Sequence, residues 1–299
     1  MVKAGLFWKS VYKNKHAYLF ISPALLLLGI FSFYPIVMAL RMSLYRWKGG
    51  NEATFIGLGN FAELFSDPIF YQSLKNAVWF IAVDCTIGVI MPLLIAELLF
   101  NLKSHKIQYF MRTSFVLPIT VPAVVIILIW KFLYNPVVGG MNTIIGWFGI
   151  PPQLWLGGTD TALFSIIFSG FPFIAPVHML IILAALQSIP KSLMEASTLE
   201  GCGVLKRIWK IDMPLIAGQL RLVFILGILH GLQSFHRQMI MTDGGPGNST
   251  LVPGLYMFQA GFANNKFGYA SAIGLALLAI ILTLTFISNN LFKTDHNGG

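Results

Sequence analysis

The feature that most constrains this sequence is a series of long apolar blocks separated by polar or turn-forming stretches. An α-helix rises about 1.5 Å per residue, so about 20 apolar residues can cross the roughly 30 Å hydrocarbon core of a bilayer. Soluble domains carry roughly 25% charged residues, whereas 10% of this chain is charged. With so little polar surface, the chain is predicted to be an all-α polytopic membrane protein.

Six of the blocks are long enough to be predicted as transmembrane helices. They lie near residues 18–40, 76–100, 114–133, 161–188, 215–235 and 269–292. The first block follows several lysines, but it is too long for a signal peptide and lacks a small-residue cleavage site, so it is predicted to remain as a span. A transmembrane domain of residues 18–292 is therefore expected between an N-terminal segment, 1–17, and a tail, 293–299.

The basic residues indicate the orientation of these spans. The net charge of +9 would suggest nucleic-acid binding in a soluble protein, but here Lys and Arg flank the apolar blocks, so no nucleic-acid partner is expected. Twelve of the 20 Lys and Arg share one side if both termini are cytoplasmic. They are Lys3, Lys9, Lys13, Lys15, Lys103, Lys106, Arg112, Lys191, Lys206, Arg207, Lys210 and Lys293. The positive-inside rule therefore places both termini and the loop 189–214 in the cytoplasm.

Several kinds of chemistry are absent from the sequence. It contains no phosphate-binding Gly-x-x-x-x-Gly-Lys pattern and no His-Glu-x-x-His zinc pattern. Cys85 in a predicted span and Cys202 in a predicted cytoplasmic loop imply neither a disulfide framework nor a metal cluster. The chain is therefore predicted to be no enzyme and to bind no metal.

The cytoplasmic loop contains the most specific pattern, which reads EASTLEGCGVLKRIWKIDMP from Glu195 onward. A short helix with a small-residue face is expected there, because Pro190 suits the first turn of a helix. Gly201 and Gly203 are expected to end it, since glycine tolerates the positive φ of a sharp turn. A second helix is predicted at Val204–Ile211, with exposed Lys206, Arg207 and Lys210. Another protein can clasp such a surface, and Glu195 can pair with an arginine of that partner.

This loop resembles the EAA loop of ABC-importer permeases, in which E-A-A, three residues, G and nine residues precede I-x-L-P. Glu195, Ala196, Gly201, Ile211 and Pro214 stand at the spacing of that pattern. Ser197 replaces its second alanine and Met213 its leucine, and both changes in volume are small. The resemblance implies that the loop couples to an ATPase through Glu195, Ala196, Ser197, Gly201, Ile211 and Pro214.

Three further stretches resemble the sugar-importing branch of the family, which includes the maltose-transporter permeases. They are the G-L-x-N-F motif with Gly57, Leu58, Asn60 and Phe61, the segment Leu183–Pro190, and the T-x-G-G-P motif at Thr242–Gly247 with Ser249–Thr250. The external turn of Gly244, Gly245 and Pro246 is interpreted either as a contact for a solute-binding protein or as a tight turn alone.

The resemblance also implies an assembly in the bacterial inner membrane. A second homologous permease, or a second copy of this chain, would complete the pathway, and two ATPase subunits would bind ATP and Mg. An extracytoplasmic solute-binding protein would deliver a sugar or oligosaccharide, and this chain would hold no cofactor. The alternatives are the same kind of importer for a glycerol-phosphate or other polar solute, and an ATP-independent channel or membrane-embedded enzyme.

Polar residues inside predicted spans are candidates for the pathway, because burying them in hydrocarbon is costly. They are Asp84, Glu97, His178, Arg221, His230 and Gln233. Asp84 lies deepest in its span, whereas Glu97 and Arg221 are near enough to an interface for their ends to reach water. Pro172 and Pro176 are expected to distort the fourth span.

In the maltose relatives, sugar contacts lie on the two spans that flank the EAA loop. Counting from Glu195 without gaps places the corresponding stretches at about 170–177 and 227–234. The expected substrate-cavity residues are Phe171, Phe173, Gly227, His230 and Gln233, because aromatic rings can stack on the apolar faces of sugars. The alternative is that the phenylalanines and His230 only pack between helices.

Overall fold

The computed structural model describes residues 13–50 and 52–291 of the chain. Within this part, α-helices dominate as predicted, and a two-stranded hairpin accompanies them. The helices are α1 (Lys15–Leu28), α2 (Tyr34–Met42), α3 (Gly59–Phe65), α4 (Pro68–Phe100), α5 (His105–Val116), α6 (Ala123–Leu133), α7 (Gly140–Gly146), α8 (Ala162–Phe168), α9 (Pro176–Gln187), α10 (Lys191–Leu199), α11 (Val204–Arg207), α12 (Met213–Leu215), α13 (Ala217–Gln233), α14 (His236–Met241), α15 (Pro253–Phe258) and α16 (Phe267–Leu291). The strands are β1 (Tyr45–Trp47) and β2 (Ala53–Phe55). Short π-helical segments lie at Gly29–Phe33, Ile208–Asp212 and Gln259–Ala263, and a 3-10 turn lies at Leu117–Thr120.

The chain forms two compact units. Among the described residues, the first unit contains those up to Ser66 together with Gln259–Leu275, and the second contains Asp67–Phe258 and those from Ala276 to Leu291. In the first unit, α1, a π-helical segment and α2 form one helix without a buried side chain. Such an apolar exterior suits contact with lipid, which needs no polar surface from the protein.

The hairpin of the first unit follows α2 directly. Its strands are antiparallel, with Tyr45 opposite Phe55. The buried side chain of Asn60 donates hydrogen bonds to the carbonyl oxygens of Ser43, at 2.7 Å, and Tyr45, at 3.0 Å. The asparagine of the G-L-x-N-F motif therefore fixes the hairpin to the end of α2.

In the second unit, α4 is the central helix and extends over 33 residues. The carboxylate of Asp67 accepts a hydrogen bond of 2.8 Å from the amide of Ile69, and Pro68 occupies the first turn. This pair is a standard N-terminal cap. Because of it, the helix begins well before the predicted residue 76.

Two clusters of buried apolar side chains hold the second unit together. One joins α4, α9 and α13 and includes Leu99, Ile182 and Val223. The other joins α4 with α6, α8, α14 and α15 and includes Phe80 and Leu255. Both clusters depend on α4, so this helix positions most of the elements around it.

In this unit, α13 crosses α4 closely at two glycines. A Cβ atom on Gly227 would lie 2.9 Å from the carbonyl oxygen of Asp84. A Cβ atom on Gly231 would lie 2.9 Å from the Cα atom of Ile81. Only glycine lets the backbones approach so closely, as in the small-xxx-small contacts of membrane helices.

Among the described residues, three continuous helices are long and apolar enough to cross a membrane, namely Lys15–Met42, Pro68–Phe100 and Phe267–Ser288. The predicted span at 114–133 contains a bend, because α5 and α6 meet at 85° across a break that contains Pro118 and Pro122. The span at 161–188 is interrupted between α8 and α9, so the predicted distortion by prolines is confirmed. The count of six spans stays a prediction.

Candidate functional site

The helix α10 turns 73° away from α9 and presents a mixed surface. The side chain of Leu199 is 90% exposed, and Glu195 and Ala196 are also exposed. Met194, Glu195, Thr198 and Leu199 line a surface depression. The helix α10 thus presents both apolar and acidic side chains on its surface.

A glycine-dependent cap ends α10. Gly201 has a φ of +71°, and its amide donates to the carbonyl oxygen of Thr198 at 3.0 Å. The amide of Cys202 donates to the carbonyl oxygen of Ser197 at 2.9 Å. These two bonds form a Schellman motif, in which the left-handed position favours glycine. No atom would lie within 4 Å of a Cβ on Gly201, so backbone conformation alone explains the glycine.

Gly203 has a different role from the one predicted. Its φ of −64° and ψ of 158° are accessible to any residue. The expectation of a positive φ at Gly203 is therefore wrong. Gly203 is the extended residue that precedes α11, and the reversal of the chain depends on Gly201.

The other residues of the EAA-like pattern divide between the surface and the interior. Ser197 is buried, and its hydroxyl donates to the carbonyl oxygen of Met194 at 2.8 Å. Ile211 is half-buried in a π-helical segment, and Pro214 is exposed in α12. Of the six predicted coupling residues, Glu195 and Ala196 are thus exposed on α10, while the side chain of Ser197 is buried.

The predicted exposure of Arg207 is wrong. Its side chain is 15% exposed, and its Nε donates to Oδ2 of Asp212 at 2.9 Å. Its Nη2 donates to Oδ1 of Asn101 at 2.7 Å. Asp212 is fully buried, so its carboxylate depends on this guanidinium in place of water. Lys206 and Lys210 are exposed, as predicted.

Glu97 belongs to the same network. The prediction that the end of its side chain reaches water is wrong. The residue is 4% exposed. Its Oε2 accepts a hydrogen bond of 3.2 Å from Asn101 and lies 3.9 Å from Nη2 of Arg207. The network joins the end of α4 to α11 across more than 100 residues of sequence. Sequence reasoning missed it, and the available signal was the pair of acidic residues at the ends of apolar blocks.

A second polar contact joins α13 to the middle of α4. Nδ1 of His230 lies 3.0 Å from Oδ2 of Asp84, and the two side chains are 55% and 23% exposed. Gln233 is also exposed and lies three residues further along α13, which places it near the face of His230. Charged groups in membrane segments rarely face lipid, so this face suits a water-filled cavity or another subunit.

The break between α8 and α9 carries the two aromatic candidates. Phe171 is exposed and stacks on Phe168 with ring centroids 5.7 Å apart. Phe173 lies edge-on to Phe171 at 6.4 Å and has a φ of +57°. A bulky residue at positive φ is strained, and such strain concentrates at functional sites.

Gly227, the fifth predicted cavity residue, does not line an open surface. It is buried against the backbone of α4 at Asp84. We therefore assign it to helix packing. The signal for this role was present in the sequence, because Gly227 and Gly231 form a G-x-x-x-G pattern.

His178 also contacts α4, since its Nδ1 lies 3.1 Å from the carbonyl oxygen of Gly88.

The glycine turn after α14 is braced by the threonines of its motif. The hydroxyl of Thr250 donates to the carbonyl oxygen of Gly245 at 2.9 Å and lies 2.7 Å from the hydroxyl of Thr242. Gly244 is buried, whereas Gly245 and Pro246 are half-exposed. A partner could thus reach Gly245 and Pro246 but not Gly244.

Comparison with known proteins identifies the family of the chain and several relatives. The family described as binding-protein-dependent transport system inner membrane component matches residues 86–294. The probable ABC transporter permease protein YurN of Bacillus subtilis is 34% identical, over 93% of this chain and 96% of that protein. The arabinooligosaccharides transport system permease protein AraP of the same organism is 30% identical, over 94% and 90%. The sn-glycerol-3-phosphate transport system permease protein UgpA of Agrobacterium fabrum is 30% identical, over 92% and 94%.

A solved structure has the same fold. It is a chain of a bacterial ABC transporter involved in the import of the acidic polysaccharide alginate. The TM-score is 0.83 at 20% identity, over 97% of this chain and 99% of that chain. At this identity, the likeness establishes the fold.

Proposed function

The chain belongs to the family of binding-protein-dependent transport system inner membrane components, and from this premise we propose that it is the permease subunit of an ATP-driven importer of sugars or oligosaccharides. Relatives of this kind are transport components rather than enzymes. In this proposal, the chain lines half of the translocation pathway, and partner ATPase subunits supply the energy.

The observation that carries the proposal is the exposed, glycine-capped helix α10. Glu195 and Ala196 present an acidic and small-residue surface, and the Schellman motif at Gly201 fixes its end. Such a rigid helix can lie in a cleft of an ATPase subunit, with Glu195 paired to a basic side chain. Closure of two ATPase subunits around ATP and Mg would then displace α10 and, through it, the spans.

The proposed pathway lies beside the Asp84–His230 contact. Hydroxyl groups of a sugar can bond to Asp84, His230 and Gln233, while the rings of Phe171 and Phe173 can stack on its apolar face. A relative at 30% identity is named for arabinooligosaccharides, which supports an oligosaccharide as the substrate.

An anionic solute is the second candidate. A relative of equal identity is named for sn-glycerol-3-phosphate, and such a substrate requires a fixed positive charge. Arg237 can supply one, because its guanidinium lies beside Gly170 in the break before α9. Competition for uptake between neutral oligosaccharides, glycerol phosphate and acidic sugars would separate the two candidates.

The proposed assembly contains a second homologous permease, two ATPase subunits and an extracytoplasmic solute-binding protein. The exposed Asp84–His230 face is where the second permease would close the pathway, and the half-exposed Gly245 and Pro246 would meet the binding protein. The proposed orientation has six spans in the bacterial inner membrane, with both termini cytoplasmic, since the basic residues favour that side.

The test uses the assembled transporter in proteoliposomes, with Glu195→Lys and Gly201→Asp in this chain. Both variants are expected to insert into the membrane but to lose most sugar uptake per ATP hydrolysed. Glu195→Lys repels a basic partner, and Gly201→Asp weakens the cap of α10. Unchanged uptake and ATP coupling in both variants would overturn the assignment of the loop.

A further inference from the structure

A polar network links the proposed coupling loop to α4, the central helix of the second unit, and its two carboxylates, Glu97 and Asp212, are buried while Asn101 is exposed. Arg207 is its hub, with bonds of 2.9 Å to Asp212 and 2.7 Å to Asn101. Its guanidinium also lies 3.9 Å from Glu97 and 5.7 Å from the ring centroid of Phe100. Four side chains thus hold one cation from two directions.

The charges of this network make Arg207 hard to replace. Two buried carboxylates, on Glu97 and Asp212, share one guanidinium. Oε1 of Glu97 and Oδ1 of Asp212 are buried without a hydrogen-bond partner in the described part of the chain. Removing Arg207 would leave two buried acids uncompensated, which is strongly unfavourable.

The network lies between the EAA-like loop and the helix that carries the proposed pathway, which are far apart in the sequence. Arg207 and Asp212 lie in the loop that also carries α10, whereas Glu97 and Asn101 lie at the end of α4. The same α4 carries Asp84, which contacts His230 at 3.0 Å. One helix, which contains Pro92, therefore runs from the loop network to the proposed pathway, and a packed helix can carry a displacement between the two sites.

We propose that Arg207 is a positioning residue of the coupling step, which ties the EAA-like loop to α4 so that movement of α10 reaches the pathway. This inference rests on the proposed function. The loop cannot slide along α4 without breaking the bond between Arg207 and Asn101 and moving Arg207 away from Glu97. Arg207 itself contacts neither substrate nor nucleotide in this scheme.

The experiment measures sugar uptake per ATP hydrolysed in proteoliposomes that contain the complete transporter and its liganded binding protein. Arg207→Met is expected to lower this ratio about tenfold, the size of a typical coupling energy between sites. Arg207→Lys is expected to restore part of it, because lysine keeps the charge beside Asp212 but lacks the planar fork that also reaches Asn101. Lys103→Met is the matched control, since Lys103 is an exposed base two residues from Asn101, and its ratio should not change.

A second variant separates positioning from stability. Arg207→Met combined with Asp212→Asn and Glu97→Gln removes both unpaired buried charges, so the complex should assemble even if Arg207→Met alone does not. The inference predicts that this triple variant still transports poorly per ATP. A wild-type ratio in either assembled variant would overturn it. If Glu195→Lys is also without effect in the same assay, the coupling loop itself is wrongly assigned; if Glu195→Lys uncouples and Arg207→Met does not, only the present inference fails.

Discussion

At the scale of single residues, two glycines that look alike in the sequence have different structural roles. Gly201 requires a left-handed backbone for the cap of α10, whereas Gly203 has an ordinary extended conformation. Neither position has an atom within 4 Å of an added Cβ. Substitution by alanine therefore tests backbone conformation alone, since it adds no steric conflict.

We expect Gly201→Ala to destabilise the end of α10 and Gly203→Ala to be tolerated. The left-handed conformation costs an alanine about 1–2 kcal/mol relative to glycine. ATP-coupled uptake should fall severalfold for Gly201→Ala and stay unchanged for Gly203→Ala, at equal amounts of assembled transporter. Equal uptake by the two variants would show that the cap has no role in coupling.

A second prediction at this scale concerns Asp84. Asp84→Asn keeps the shape of the side chain but replaces a charge-assisted hydrogen bond to His230 with a neutral one, a loss of about 1 kcal/mol. The KM for sugar uptake is expected to rise about fivefold. Thr86→Val is the control, because the Thr86 hydroxyl bonds within its own helix, to the carbonyl oxygen of Ala82. A KM that does not change in Asp84→Asn would remove this pair from the pathway.

At the scale of elements, sequence patterns predicted the presence of helices better than they predicted where those helices begin, end or break. Hydropathy predicts a span that starts near residue 76, whereas the Asp67–Pro68 cap begins α4 at residue 68. Pro118 was not recognised as a break, whereas the prolines before α9 were. Local rules for caps and prolines contain this information, and hydropathy alone does not.

The crossing of α13 over α4 gives a prediction about packing. Gly231→Val would place a side chain 2.9 Å from the backbone of Ile81, and the helices would have to separate. Overpacking of this kind costs about 1–3 kcal/mol, so the thermal unfolding temperature of the purified complex should fall. Gly218→Ala, on the same helix but with open space around the added Cβ, should leave it unchanged. Similar unfolding temperatures would contradict the close crossing.

At the scale of the whole molecule, composition and a few spaced motifs were enough to predict the membrane class and the family. The low charge and apolar blocks exclude a soluble fold, and the Glu195-to-Pro214 spacing indicates an importer permease. The acidic residues Glu97 and Asp212 are visible at the ends of apolar blocks, but their pairing with Arg207 could not be predicted, because Glu97 and Arg207 are distant in sequence. Such contacts follow from how helices pack, which no local pattern specifies.

The central claim is that this chain moves its substrate only when an ATPase engages the EAA-like loop. The most direct measurement is uptake of labelled oligosaccharide into proteoliposomes that contain the permease subunits with or without the ATPase subunits, with liganded binding protein outside and ATP inside or absent. We predict uptake only with both the ATPase subunits and ATP. Comparable uptake by the permease subunits alone would contradict this account and indicate a channel.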